Sequence, residues 1–218
     1  LLDLVMPGRS GLELLEELAE RGVRAPVIVL TATNTVSAAV QAMKHGAVDF
    51  LADADFDLAV RGALNGIFYG KGEVCAAGSR LFVERSIHDR FVEKMTAEMS
   101  RYEPADPMNE KTRMGAINSE SQLGTVMKYV DIGKQEGATL AYGGERADIG
   151  TGKGYFHRPT LFVGARNDMR IAQEEIFGPV LSILPYDGEE NAGEIANGVV
   201  YGLAGGVWSA DPARAEAV

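Results

Sequence analysis

Apolar and polar positions follow two rhythms over the first 51 residues. Leu1-Leu2-Asp3-Leu4 reads as the end of a buried strand, and Met6-Pro7-Gly8 as a turn. Leu12, Leu14, Leu15 and Leu18 then recur at helical spacing, capped by Ser10 and closed by Arg21-Gly22. Val27-Ile28-Val29-Leu30, bounded by Pro26, is a continuous apolar run that suits a parallel strand covered on both faces. Val36, Ala39, Val40 and Met43 share one face of a second helix, stopped by Gly46, and Ala47–Leu51 is another strand. The order strand, helix, strand, helix, strand predicts an open parallel α/β sheet.

From residue 52 the pattern changes. The acidic run Ala52-Asp53-Ala54-Asp55-Phe56-Asp57 suits a helix N-terminus, and Leu58, Ala59, Ala63, Ile67 and Phe68 continue at helical spacing. A glycine-rich turn leads to a strand over 80–84. Ser86-Ile87-His88-Asp89 is close to a capping box, and Ile87, Phe91, Met95 and Met99 form the core stripe of the next helix. Ser119 opens a helix carrying Leu123, Val126 and Val130 and stopped at Gly137. Strands are predicted at 159–163, 181–184 and 201–209, a short helix at 189–197, and a last helix from Asp211-Pro212. Gly150-Thr151-Gly152-Lys153-Gly154 lacks the first glycine and the Ser or Thr of a phosphate loop, so it reads as a surface loop between strands.

Composition narrows the function. Of the 218 residues 46% are hydrophobic, enough for a real core. A net charge of -10 argues against nonspecific binding to nucleic acid or anionic lipid. No apolar run approaches the roughly 18 residues of a membrane span. His45, His88 and His157 lie far apart, without metal-ligand spacing. A single cysteine makes the reducing cytoplasm the expected compartment. The chain opens inside an apolar run and ends inside an Ala-rich helical pattern, which reads as a fragment at both ends.

That cysteine, Cys75, lies in Gly72-Glu73-Val74-Cys75-Ala76-Ala77-Gly78-Ser79-Arg80, between a helical pattern and the strand Leu81-Phe82-Val83. Glycines at 70, 72 and 78 allow a tight turn and close approach of a ligand. A lone cysteine is more often a buried structural residue; the turn and its small neighbours favour a presented thiol.

Two resemblances follow. Asp3-Leu-Val-Met-Pro-Gly-Arg-Ser-Gly11, Val27-Ile-Val-Leu-Thr31-Ala32 and Gly46-Ala-Val-Asp-Phe-Leu51 resemble the second half of a bacterial response-regulator receiver domain. The resemblance implies Asp3 as phosphoacceptor and Thr31 as its sensor; an isolated Asp3 would read as a strand-end carboxylate. Residues 52–218 resemble the NAD(P)-dependent aldehyde dehydrogenase superfamily. The carriers are Ala52–Val60, Gly72–Leu81, Gly154-Tyr-Phe-x-x-Pro-Thr-Leu161, Glu174-Glu-Ile-Phe-Gly-Pro-Val180 and Tyr201-Gly-Leu-Ala with Val207-Trp208. It implies Cys75 as catalytic thiol, Glu175 holding the nicotinamide ribose hydroxyls with Phe177 beside them, NAD or NADP as cofactor, and a small-molecule aldehyde as substrate. The family is usually homo-oligomeric. Glu73 stands where many members carry Gln, and the sequence leaves open whether it points at the sulfur.

The expected fold class is α/β: a truncated, three-layer aldehyde-dehydrogenase-like catalytic domain over 52–218, preceded by a partial receiver-like parallel segment over 1–51. The family's cofactor domain, with its oxyanion-hole Asn and water-activating Glu, has no matching block in this sequence. Losing an oxyanion donor lowers the rate roughly 10²–10³-fold and losing a general base about 10²–10⁴-fold, so the expectation is no turnover by this chain alone. The alternative is a signalling adaptor joining a receiver-like piece to a non-catalytic enzyme domain; both halves being cut inside their cores, without a linker, weighs against it.

The receiver-like segment generates one prediction. Receivers need a Lys-Pro pair past the last strand, where this chain has Asp53-Ala54. A transferring phosphoryl group needs cationic stabilisation, and Asp53 supplies the opposite charge. Incubation with acetyl phosphate and Mg²⁺ is expected to leave the intact mass unchanged; a gain of one phosphate on Asp3 would contradict this.

Overall fold

The computed structural model describes residues 10, 13, 14, 17, 27–30, 47–51 and 56–208. The chain divides into two compact units, Leu1–Ala59 with Tyr201–Val218, and Val60–Val200.

In the first unit, β1 (Val27–Leu30) and β2 (Ala47–Leu51) pair in parallel, the direction the strand order predicts. Ser10 caps reciprocally: its Oγ accepts the Glu13 N–H at 3.2 Å, and Glu13 Oε2 accepts the Ser10 N–H at 3.0 Å. This is a capping box, which satisfies two donors that a helix start leaves orphaned. The strand expected at 1–4 and the helix through Val36–Met43 lie outside the described residues, as do Asp3 and Thr31. No strand forms over 201–208, contrary to expectation; these residues are mostly exposed and have no ladder partner among the described strands. An extended apolar pattern becomes a strand only where a neighbour takes up its backbone donors and acceptors.

The second unit is a four-stranded mixed sheet in the order β3-β6-β5-β4, formed by β3 (Arg80–Glu84), β4 (Thr139–Tyr142), β5 (Thr160–Val163) and β6 (Val180–Tyr186). β3, β5 and β6 run parallel, and β4 joins the edge antiparallel to β5. β4 has no counterpart among the predicted strands. Val180–Leu184 of β6 is buried without alternation, as a central strand covered on both faces requires. The helices are α1 (Phe56–Phe68), α2 (His88–Glu98), α3 (Glu120–Gln135), the single turn α4 (Arg170–Gln173) and α5 (Gly188–Asn197).

One core lies between α3 and the sheet. Val126 and Val130 meet Phe162, Met169, Ile171, Ile176, Val180 and Leu184. Gly133 lets the helix close on the sheet, since a Cβ there would stand 2.9 Å from the Phe162 ring. Ser119 is the N-cap of α3, its side chain accepting the Gln122 N–H at 3.2 Å, as predicted. In α1 the buried face is Val60, Leu64, Ile67 and Phe68, while Leu58 is exposed; the predicted face is shifted. The capping box expected at Ser86 does not form: Ser86 Oγ donates to Glu84 instead, and α2 begins at His88 without a side-chain cap. Phe91, Met95 and Met99 are core as expected, and Ile87 is exposed.

Short helix α4 is held by charge. Arg170 donates through Nε and Nη2 to both oxygens of Glu174 at 2.8 Å, and Tyr129 Oη donates to Oε2 at 2.6 Å. These donors, Arg170 first, lower the Glu174 carboxyl from 4.5 to about 2. A carboxyl that binds its proton less readily when folded stabilises the fold above its unfolded value and loses that contribution as pH falls toward the folded one. Urea unfolding followed from pH 5 to pH 2 is therefore expected to show a stability loss that Glu174→Gln diminishes; identical pH slopes in the two proteins would contradict the assignment.

Candidate active site

The segment after α1, Tyr69–Gly72, leaves the right-handed helical path, with Gly70, Lys71 and Gly72 at φ 58°, 64° and 70°. Three successive left-handed residues reverse the chain sharply, which glycine tolerates and lysine does not favour. Gly72 is fixed by space as well. A Cβ there would lie 2.2 Å from the Gly178 carbonyl oxygen. The chain then makes a β-turn in which the Ala77 N–H donates to the Val74 carbonyl at 3.0 Å. Cys75 and Ala76 occupy its two corners, and both are exposed. Among the described residues the Cys75 N–H has no hydrogen-bond partner. The Gly78 N–H returns to the Gly66 carbonyl of α1 at 3.0 Å, and the Ser79 carbonyl accepts from Ser182 at 2.9 Å as the chain enters β3. A helix end and a sheet thus hold the thiol turn from both sides.

Glu73 does not act as an open charge. Its side chain is 6% exposed, and its carboxylate accepts from Lys71 Nζ at 3.0 Å and from the Asn118 N–H at 3.0 Å. It bolts the thiol turn to the loop that leads into α3.

The second turn runs from α4 into β6. Glu174 and Glu175, adjacent in sequence, part ways: Glu174 is engaged by Arg170 and Tyr129, whereas Glu175 is exposed with no partner among the described residues. Phe177 is 37% exposed at φ 56°, a conformation that strains a bulky residue. Gln122 of α3 holds it there, donating from Nε2 to the carbonyls of Ile176 at 2.9 Å and Phe177 at 2.8 Å. A Cβ on Gly178 would meet Val126 at 2.4 Å. So α3 presses on this turn from one side and Gly72 from the other.

The structure therefore packs the turn carrying Cys75 directly on the turn carrying Glu175 and Phe177. Asp3 and Thr31 fall outside the described residues. Three supporting residues, Lys71, Gln122 and Arg80, escaped the sequence reading, and Glu73 is singled out there without its direction. Lys71 is visible only as a charge among glycines. Gln122 completes a Ser-x-x-Gln capping pattern, yet its amide serves the Phe177 turn. Arg80 donates through Nη2 to Asn167 at 2.8 Å and to the Ile195 carbonyl at 2.6 Å, fastening β3 to α5; burial lowers its pKa. Among the described residues there is no group of three His, Cys, Asp or Glu able to hold a metal, and no helix long and apolar enough to cross a membrane.

The response regulator receiver domain model matches residues 1–54, and the aldehyde dehydrogenase family model matches residues 45–218, so the two overlap across β2. Betaine aldehyde dehydrogenase of Mesorhizobium japonicum is 41% identical over 199 residues, covering 87% of this chain and 41% of that protein. That of Bacillus subtilis is 44% identical over 167 residues, covering 76% and 34%. Among solved structures, indole-3-acetaldehyde dehydrogenase of P. syringae, in complex with NAD+, superposes with a TM-score of 0.72 at 38% identity over 87% of this chain and 41% of its own. Betaine aldehyde dehydrogenase of Staphylococcus aureus, also with NAD+, gives 0.73 at 34% identity over 87% and 42%. The chain thus spans about two fifths of the length of the first of these relatives, and it belongs to the aldehyde dehydrogenase family.

Proposed function

We propose that Cys75 is the nucleophile of an NAD(P)-dependent aldehyde oxidation, with residues 52–218 forming the thiol-bearing part and residues 1–51 a receiver-like part. The observation that carries this reading is the backbone contact of Gly72 with Gly178, which joins the turn bearing an exposed thiol to the turn bearing Phe177 and an exposed Glu175 that has no partner among the described residues.

The chemistry follows from those groups. The Cys75 sulfur, as thiolate, adds to the aldehyde carbon and gives a thiohemiacetal. The Cys75 N–H, which has no hydrogen-bond partner among the described residues, donates in this reading to the oxyanion that develops. Collapse of that oxyanion expels the hydride and leaves a thioester on Cys75. Water then adds to the thioester carbon, the sulfur leaves, and a carboxylate is released. A thiol serves both halves, because it attacks readily and leaves readily.

The nicotinamide cofactor supplies the hydride acceptor. The residues present fit it by acceptor chemistry: Glu175, exposed and with no partner among the described residues, offers two oxygens to vicinal ribose hydroxyls, and Phe177, two residues on, is partly exposed on the same turn. The substrates in these relatives' names differ, betaine aldehyde and indole-3-acetaldehyde, so the substrate class proposed is the aldehyde group itself.

Two tests follow. An aldehyde that adds to Cys75 protects it, so saturating aldehyde is expected to slow iodoacetamide labelling of the full chain, and Cys75→Ser to abolish labelling. With NAD and the same aldehyde, no NADH is expected at ordinary enzymatic rates, since no block matching the water-activating Glu occurs in residues 1–218. Labelling indifferent to aldehyde would sink the nucleophile assignment. Separately, Gly72→Ala drives a methyl into the Gly178 carbonyl at a left-handed residue, which is expected to lower stability by about 2–4 kcal/mol in urea unfolding and to remove the protection. A wild-type unfolding midpoint in that variant would show that the two turns do not depend on their contact.

A further inference from the structure

Lys71 and Glu73 flank the glycine that seats the thiol turn, and neither belongs to the covalent chemistry. Lys71 adopts φ 64°, a conformation a lysine resists. Its Nζ reaches back to Glu73 at 3.0 Å. Glu73 is nearly excluded from water, at 6% exposure, yet sits only two residues from Cys75, at most about 7.6 Å between Cα atoms. An ionised carboxylate so placed would disfavour the thiolate unless a cation answers it. Lys71 is that cation. The Asn118 N–H supplies the second contact, so the pair is both neutral overall and anchored.

Of the other charged groups on the packed elements, Asp57 on α1 and Lys128, Asp131 and Lys134 on α3 are exposed, and Arg80 at the start of β3 is committed to Asn167 and the Ile195 carbonyl. Arg61 on α1 is exposed. Glu120 in the first turn of α3 is exposed. On the Gly178 turn, Glu174 is committed to Arg170 and Tyr129, and Glu175 is exposed.

We propose that Lys71 and Glu73 are a positioning pair for the thiol: Glu73 pins the turn to the α3 entrance through Asn118, and Lys71 cancels the charge that this pin would otherwise leave two residues from Cys75. The pair thereby does with two charges what a neutral amide at position 73 would do with one dipole. This deepens the nucleophile assignment of Cys75 and rests on it. The test nevertheless needs neither aldehyde nor cofactor, so failure of the pair and failure of the oxidation chemistry are told apart.

The experiment is the rate of Cys75 alkylation by iodoacetamide against pH, on the full chain, for four variants. Glu73→Gln keeps an oxygen for the Asn118 N–H and leaves Lys71 unanswered. Its pH midpoint is expected to fall, by roughly half a unit to one unit for a charge at this range in an effective dielectric of about 30–60. Lys71→Met leaves Glu73 unanswered and is expected to raise the midpoint by a similar amount. Lys71→Gly removes the same charge while relieving the left-handed backbone, so a shift seen in both Lys71 variants cannot come from misfolding. The double variant Lys71→Met with Glu73→Gln is expected to return to within about 0.2 unit of wild type, a reversal that damage to the fold would not produce. Midpoints unmoved in Glu73→Gln and Lys71→Gly, or a double variant no nearer to wild type than Lys71→Met, would overturn the proposal.

Discussion

Everything around the thiol depends on one contact between two backbones. Gly72 approaches the Gly178 carbonyl so closely that no side chain fits between them. Backbone groups are the least adjustable parts of a protein, since a side chain can change rotamer and a peptide plane in a packed turn cannot. By letting main chain touch main chain, the fold fixes two turns that lie about a hundred residues apart in sequence. Side chains on those turns inherit a separation set by peptide geometry.

Helix α3 acts as the ruler that keeps this contact in register. Its entrance receives Glu73 through the Asn118 N–H, its first turn sends Gln122 to the Ile176 and Phe177 carbonyls, and its second turn places Val126 against Gly178. All three attachments fall within nine residues of sequence, roughly two helical turns. The helix is itself seated by Phe162 and Ile171 against Gly133 and capped by Ser119. Core packing in this unit is thus transmitted to the two turns through a rigid rod, while Cys75, Glu175 and Phe177 remain exposed.

Much of this was legible in the sequence, for identifiable reasons. The Ser119 cap, the Leu123, Val126 and Val130 face of α3, the strands at 80–84 and 160–163, and the exposed cysteine turn all carry local signals that tertiary structure did not override. The misses share a different cause. Val60 and Leu64 lost to Leu58 and Ala63 on paper because α1 carries apolar residues around much of its circumference, so periodicity alone cannot choose the buried side. β4 is four residues long with Thr139 exposed at its start, and it exists because β5 offers an edge. Ser86 has the right type and spacing for a cap but finds Glu84 nearer. The direction of Glu73 was unreadable because its partners come from a residue two positions back and from a loop 45 positions ahead.

Phe177 leaves a thermodynamic mark on this surface. A glycine at φ 56° would relax the turn without disturbing the carbonyls that Gln122 grips, so the ring is present against the chain's own conformational preference. Folding stability has been diverted into keeping an aromatic face partly open to solvent. On that account the most stable version of this turn is a different sequence, and selection for heat resistance alone would replace the ring with glycine.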